Sequence, residues 1–129
     1  MVAVDTSSLI AFLDRDNLKR DHDKDVALID TALSEKRLII PQVVQTEILS
    51  NPRLDMQQIV WLENLPTLEI MTGFWQRAGL LRAKLLKKRL KARLADTLIA
   101  QHCLDHDLPL ISRDADFRHY VPFGLTLAA

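Results

Sequence analysis

Several kinds of residue are scarce in this chain, and each scarcity excludes something. One cysteine, Cys103, stands among 129 residues, so no internal disulfide can form. That usage fits a reducing compartment such as the cytoplasm. No run of 18 uninterrupted apolar residues occurs, which argues against a helical membrane span. The chain opens on Met1-Val2-Ala3-Val4-Asp5, with no basic region or apolar core, and no export signal is expected. The three glycines form no phosphate-cradling loop, which speaks against nucleotide-driven chemistry. Seven aromatic residues are too few for a module that reads RNA by stacking bases. Trp61 and Trp75 are therefore expected in the core or at a subunit interface.

Formal net charge is zero, but acids are missing from one long segment. Between Arg77 and Arg93 there are eight basic residues (Arg77, Arg82, Lys84, Lys87, Lys88, Arg89, Lys91, Arg93) and no acid. The rest of the chain then holds nine basic residues against seventeen acids, a balance of minus eight. Such asymmetry describes a polyanion-facing patch on an acidic body, although a solvated helix face is the usual meaning of a charge run. In the functional reading Lys87, Lys88, Arg89, Lys91 and Arg93 track phosphates.

What is present suits one domain over residues 1–129, with 48% apolar composition and enough length for a real core. Val2–Val4 reads as a strand buried on both faces. Asp5-Thr6-Ser7-Ser8 turns the chain into a helix through Leu9–Leu13. Asp14–Asp25 is a polar connection in which Asp14 and Asp16 alternate like a calcium loop, but Leu18 and Lys19 stand where the loop needs Asp/Asn and Gly. Val26, Ile29, Ala32 and Leu33 mark a helix, Leu38–Ile40 a strand, and Pro41 opens a helix that Asn51-Pro52 stops. Met56, Ile59, Val60 and Leu62 mark the next helix, and Leu68–Ile70 a third strand. Phe74, Ala78, Leu81, Leu85 and Leu86 stripe a long helix that breaks within Leu90–Arg93. Another helix starts at Leu94, followed by a strand at Leu108–Ile111, a short helix near Phe117–Tyr120 and a last strand at Leu125–Leu127. Alternating strands and helices predict an α/β fold with a mainly parallel sheet covered on both sides.

The carboxylates carry the chemistry. On a helix, the neighbours of Asp96 at i+3, i+4 and i+7 are Ile99, Ala100 and Cys103, all apolar. A carboxylate there loses hydration, and a nearby cation would relieve it. Glu47 borders Val43 and Val44 in the same way. Asp5 and Asp114 each follow an apolar strand, the edge at which open α/β sheets place ligands, although either could simply cap a helix. Asp116 could be first-turn helix charge. Brought together, these acids would repel one another unless divalent cations held them. Oxygen-only ligation suits Mg²⁺ or Mn²⁺, and such a nest supports phosphodiester hydrolysis.

These residues resemble the PIN-domain ribonucleases, and among them the VapC-type toxins of toxin–antitoxin pairs, over essentially the whole chain. Val4-Asp5-Thr6-Ser7 is similar to the family's opening motif, and Pro41–Glu47 to the segment carrying its glutamate. Ala95-Asp96-Thr97-Leu98-Ile99-Ala100 is similar to the third acidic motif, and Leu110–Phe117 to the fourth. The family's frequent Gly before the third acid is missing from Leu90-Lys91-Ala92-Arg93, which bears on the geometry of that loop. The resemblance implies α/β/α layers around a central, mainly parallel sheet of four to five strands, a homodimer, and divalent-metal-dependent cleavage of RNA. It also implies a cognate antitoxin that occludes the acidic pocket. Carried over, Asp5, Glu47, Asp96 and Asp114 are the catalytic, metal-binding acids, with Asp116 accessory. Thr6 and Ser112 stand beside them and could orient a carboxylate or a bound water.

Other candidates are weaker. Arg113 could contact a substrate phosphate or pair with an acid. His102 and His106 at i, i+4 could suit zinc, but no third soft ligand faces them, and they read as surface histidines. Cys103 fits core packing better than nucleophilic duty. Two further functions compete: a phosphatase with Asp5 as nucleophile, though Ser7 stands where the second acid belongs, and a non-catalytic module whose acids only cap helices.

Overall fold

The computed structural model describes residues 1–20 and 22–128. Asp21, within the polar connection, and Ala129, the last residue of the expected domain, lie outside the described residues. The central strand β1, Val2–Val4, is buried along its whole length. β2 (Leu38–Ile39) and β3 (Leu110–Ile111) flank it, both parallel, in the order β2-β1-β3. Val2 pairs with Leu38 and Ala3 with Ile39 on one side; Ala3 pairs with Leu110 and Val4 with Ile111 on the other.

Helices α1 (Thr6–Leu13) and α2 (Lys24–Ser34) connect β1 to β2. Helices α3 (Gln42–Leu49), α4 (Met56–Glu63), α5 (Phe74–Lys87) and α6 (Leu94–His106) connect β2 back to β3. The two connections run in opposite directions from β1, and right-handed crossovers place them on opposite faces of the sheet. The result is a helix–sheet–helix fold whose strand order reverses at β1. Among the described residues no helix is long and apolar enough to cross a membrane.

The edges of the sheet are thinner than the sequence predicts. Leu68–Ile70 forms no strand. One parallel bridge, Ile40 to Thr67, ends the pairing there, with the Leu68 N–H donating to Ile40 O at 2.9 Å. Leu68 is buried, while Glu69 and Ile70 are exposed, so only one residue of that run has an apolar environment to extend into. The last expected strand is likewise one bridge, Leu110 to Leu127. Leu108 is not in β3, because its N–H closes the end of α6 on Cys103 O at 2.9 Å. Three strands with one bridge at each edge thus replace a full sheet of four or five.

The break between α5 and α6 is made without glycine. Arg89 takes a left-handed φ of 57° and Arg93 an extended one at the N-terminal end of α6. Side chains brace this turn: Arg82 Nε donates to Ala92 O at 2.8 Å, and His119 Nδ1 lies 3.2 Å from Lys91 O. Beyond β3 a 3₁₀ helix runs from Ala115 to Phe123, and Gly124, at φ 112°, ends it. Few residues other than glycine adopt that conformation.

Leu86 leaves the predicted stripe of α5, at 48% exposed, whereas Phe74, Ala78, Leu81 and Leu85 are buried. His102 is not a surface residue. It is 2% exposed, with its ring 4.4 Å from that of Phe74, and burial, then His106, lowers its pKa to about 4. His106 is partly buried and its Nε2 meets Glu69 O at 2.8 Å. Cys103 is buried, and burial pushes its thiol up to about 12, so it packs and does not attack. Trp61 stacks on Phe12 with centroids 6.1 Å apart, whereas Trp75 is 59% exposed.

Leu85 has no exposure, so Leu85→Ala leaves a cavity in the core and is expected to cost about 2–5 kcal/mol in urea unfolding. Trp75→Ser is expected to cost less than Leu85→Ala, because the Trp75 ring meets Phe74 at 4.9 Å but stays 59% exposed.

Candidate active site

The reversal of strand order puts a crevice beyond the carboxyl ends of β1 and β3, where ligands of open α/β sheets bind. Asp5 follows β1 directly and is 3% exposed. It is both a helix cap and a member of the site. Its Oδ1 accepts from the Ser8 N–H at 3.0 Å, starting α1, and its Oδ2 accepts from Ser7 Oγ and Ser112 Oγ, each at 2.8 Å. Burial raises the Asp5 pKa, and these hydrogen bonds offset only part of that rise.

Ser112 reaches further. While its hydroxyl donates to Asp5, its oxygen accepts from the Asp114 N–H at 3.0 Å, coupling the end of β1 to the end of β3. Asp114 caps the 3₁₀ helix by accepting from the Asp116 N–H at 2.9 Å. Glu47, exposed on α3, accepts from Thr6 Oγ1 at 2.6 Å, so the residue after Asp5 fixes the orientation of a third acid.

Asp96 lies in the first turn of α6, partly buried. Its pKa rises to about 6, through burial first and then through the charge of Asp114, with smaller contributions from Asp5 and Glu47; Arg93 opposes the rise. The four acids from four separate segments therefore act on one another electrostatically. Among the described residues, no three side chains of the metal-ligating kinds stand close enough to hold an ion as they lie. The donor chemistry nonetheless fits a hard cation. All donors are oxygens, burial and then the charge of the neighbouring acids raise Asp96 to about 6, and a divalent charge would relieve that repulsion.

The remaining candidates separate into groups. Asp116 is engaged by Lys91 Nζ at 3.3 Å on the surface. Of the two roles open to Arg113, the structure shows the ion pair. Its Nε and Nη2 bind both oxygens of buried Asp25 at 2.7 and 2.9 Å, and Nη2 also reaches Asp23 at 2.8 Å. Burial would raise Asp25, but the guanidinium outweighs it and holds the carboxyl below its usual range. In the basic segment Arg77 binds Asp105 through two nitrogens, and Lys88 lies 5.0 Å over the Phe123 ring. Lys87, Arg89 and Arg93 are exposed, and among the described residues none of them has an ion-pair partner.

Some participants were not foreseen from sequence. Ser8 carried a signal, since Asp5-x-x-Ser8 is the spacing of a capping aspartate and its third helical residue. Asp23 and Asp25 gave none, because their partner lies some ninety positions away. Thr97 and Tyr120 gave none either: Thr97 Oγ1 lies 2.8 Å from the Tyr120 hydroxyl, with both residues buried. Burial raises the Tyr120 pKa, so the phenol keeps its proton.

The repulsion on Asp96 has a measurable sign. Its folded pKa of about 6 exceeds the ordinary 3.8, so the folded state binds the proton more tightly. Stability is then lost as pH rises through that window, and it stays lost above it. Asp96→Asn is expected to stabilise the metal-free protein at pH 7 by about 1–2 kcal/mol, after discounting for partial exposure, and the gain should vanish near pH 4. Mn²⁺ is expected to raise the Tm of the wild type and leave that of the variant unchanged. Thermal unfolding at both pH values, with and without Mn²⁺, reads every arm. A variant less stable than wild type at pH 7 would contradict the repulsion.

A model of the PIN domain matches residues 2–121, a span that contains all four acids. No curated protein matches the chain by sequence. In three dimensions it is similar to a chain in the crystal structure of VapBC2 from Rickettsia felis bound to a DNA fragment from their promoter. That likeness has a TM-score of 0.69 at 19% identity, over 98% of this chain and 97% of the other, and it speaks for the fold. With nearly its whole length inside the match, this chain belongs to the PIN domain family.

Proposed function

We propose that the chain is a divalent-metal-dependent endoribonuclease, and the toxin of a toxin–antitoxin pair. The observation that carries this reading is the electrostatic coupling of four acids from separate segments, with Asp96 raised to about 6 by burial first and then by Asp114, Asp5 and Glu47. Asp5, Glu47, Asp96 and Asp114 would hold Mg²⁺ or Mn²⁺. When bound, such an ion supplies an activated water and screens the charge that develops on a phosphate.

The chain's own groups do the rest. Ser112, with Ser7, orients Asp5 and favours its ionised form against the effect of burial. Thr6 aims Glu47. Lys87, Arg89, Lys91 and Arg93, with Lys88 behind them, offer positive charge to the RNA backbone from the α5–α6 turn, which the contacts of Arg82 and His119 brace. Arg113 has its place in the ion pair with α2, and Asp116 acts through Lys91 and the cap on Asp114.

The antitoxin rests on the likeness in fold to a chain of VapBC2 from Rickettsia felis and on the resemblance to VapC-type toxins. A homodimer and a cytoplasmic site of action complete the reading, with exposed Trp75 a candidate for the subunit contact.

Purified protein is expected to cut mixed-sequence RNA with Mg²⁺ or Mn²⁺, leaving 5′-phosphate and 3′-hydroxyl ends. EDTA is expected to stop it, and Asp96→Asn to slow it by at least about a hundredfold, the scale of losing a metal-ligating carboxylate. Products ending in 2′,3′-cyclic phosphate would make the ribose the nucleophile and overturn the hydrolytic scheme. Hydrolysis of small phosphate esters with RNA left intact would favour a phosphatase.

A further inference from the structure

Tyr120 is 1% exposed and Thr97 fully buried, and their hydroxyl oxygens lie 2.8 Å apart. For filling the core alone, phenylalanine at 120 would serve, and the neighbouring Phe117 does so with its ring 5.9 Å away. A buried hydroxyl needs a partner, so the phenol oxygen calls for a reason beyond packing.

The direction of the bond follows from the protons available. Thr97 Oγ1 donates its single proton to Arg93 O at 3.0 Å. Tyr120 is then the donor to Thr97, and the buried chain Tyr120 to Thr97 to Arg93 O leaves no proton without an acceptor.

The placement of this chain gives it a role. Thr97 directly follows Asp96 in the first turn of α6, and Tyr120 belongs to the 3₁₀ helix capped by Asp114. The hydroxyl pair therefore ties the helix bearing one acid to the helix bearing the other. Asp96 and Asp114 repel each other more strongly than any other pair acting on Asp96. Other ties between the 3₁₀ helix and the turn into α6 lie at the surface: the Lys91–Asp116 pair at 3.3 Å, which salt screens, and His119 Nδ1 at 3.2 Å from Lys91 O. The buried hydroxyls are the tie that salt and solvent do not reach.

We infer that Tyr120 and Thr97 are positioning residues: their hydroxyl pair holds Asp96 and Asp114 at a fixed separation and thereby sets the affinity of the acid pocket for a divalent cation. This rests on the reading of that pocket as a metal site. It concerns residues that touch neither metal nor substrate and act only through the two acids.

Mn²⁺ binding to the full chain, measured by titration calorimetry without RNA, tests it. Tyr120→Phe and Thr97→Val are each expected to weaken Mn²⁺ about tenfold, the usual cost of losing an outer-shell partner. Thr97→Ser, which keeps the hydroxyl, should bind like wild type, and the double variant should be no weaker than either single one. With RNA, kcat should fall while KM holds. Should Tyr120→Phe fail to fold, the comparison of Thr97→Val with Thr97→Ser decides. Equal Mn²⁺ affinity in all variants, with only the Tm lowered, would reduce the pair to packing and overturn the inference. Absence of Mn²⁺ binding by the wild type would overturn the metal reading itself, and this inference with it.

Discussion

Everything in this molecule is arranged around a carboxylate buried at the end of the central strand. Asp5 is nearly inaccessible, and an ionised carboxylate so placed costs several kcal/mol unless donors surround it. Its donors come from two places: Ser7 and the Ser8 N–H from the turn into α1, and Ser112 from the far end of β3. Satisfying Asp5 therefore requires β3 to be in register beside β1. The same serine positions Asp114 by accepting its N–H. Fold and site share this one hydrogen-bond relay, and neither can be disturbed without the other.

Outside the crevice, several acids are paired with bases. Asp25 and Asp23 meet Arg113, Asp105 meets Arg77, and Asp116 meets Lys91. Inside it, Asp96 faces three other carboxylates and only Arg93 in opposition. Zero net charge thus conceals a concentration of uncompensated negative charge at one point of the surface. Proteins tolerate such unfavourable local electrostatics at functional sites while the rest of the fold supplies stability.

The parts legible in the sequence were those set by local pattern. β1 shows as Val2–Val4, and α6 shows because Leu94, Ala95, Leu98, Ile99 and Cys103 recur at helical spacing, although only Ile99 and Cys103 of that face are buried and Leu94 is exposed. The acids Asp5, Glu47, Asp96 and Asp114 stood out because each interrupts or ends an apolar pattern. Edge strands were overread: Leu68–Ile70 and Leu125–Leu127 have the composition of strands, but the first run is only preceded by a bridge at Thr67 and the second pairs through Leu127 alone. The burial of His102 was missed because it depends on Phe74 arriving from another helix. Long-range pairs were invisible for the same reason: Arg113 with Asp25, Arg77 with Asp105, and Tyr120 with Thr97 are set by packing between elements, which no local period encodes.

The basic segment shows how structure narrows a compositional signal. From Arg77 to Arg93 the sequence offers eight cations as one block, but they do not act as one. Arg77 is bound to Asp105 and Thr72 O at the far end of α5, and Arg82 is turned inward onto Ala92 O. Lys91 leans on Asp116. Among the charges left exposed at the α5–α6 turn are Arg89, held in a left-handed conformation, and Arg93, whose field reaches Asp96. An arginine in that position does two opposing things. It eases the ionisation of Asp96, and it competes with any cation that the acids would gather. Under the proposed function a polyanion would resolve the conflict, its phosphate drawing Arg93 toward itself and leaving the carboxylates free for a divalent cation. If the acids do gather a divalent cation, the positive turn and the acid crevice would form one device, in which binding of a substrate backbone and assembly of the metal site favour each other.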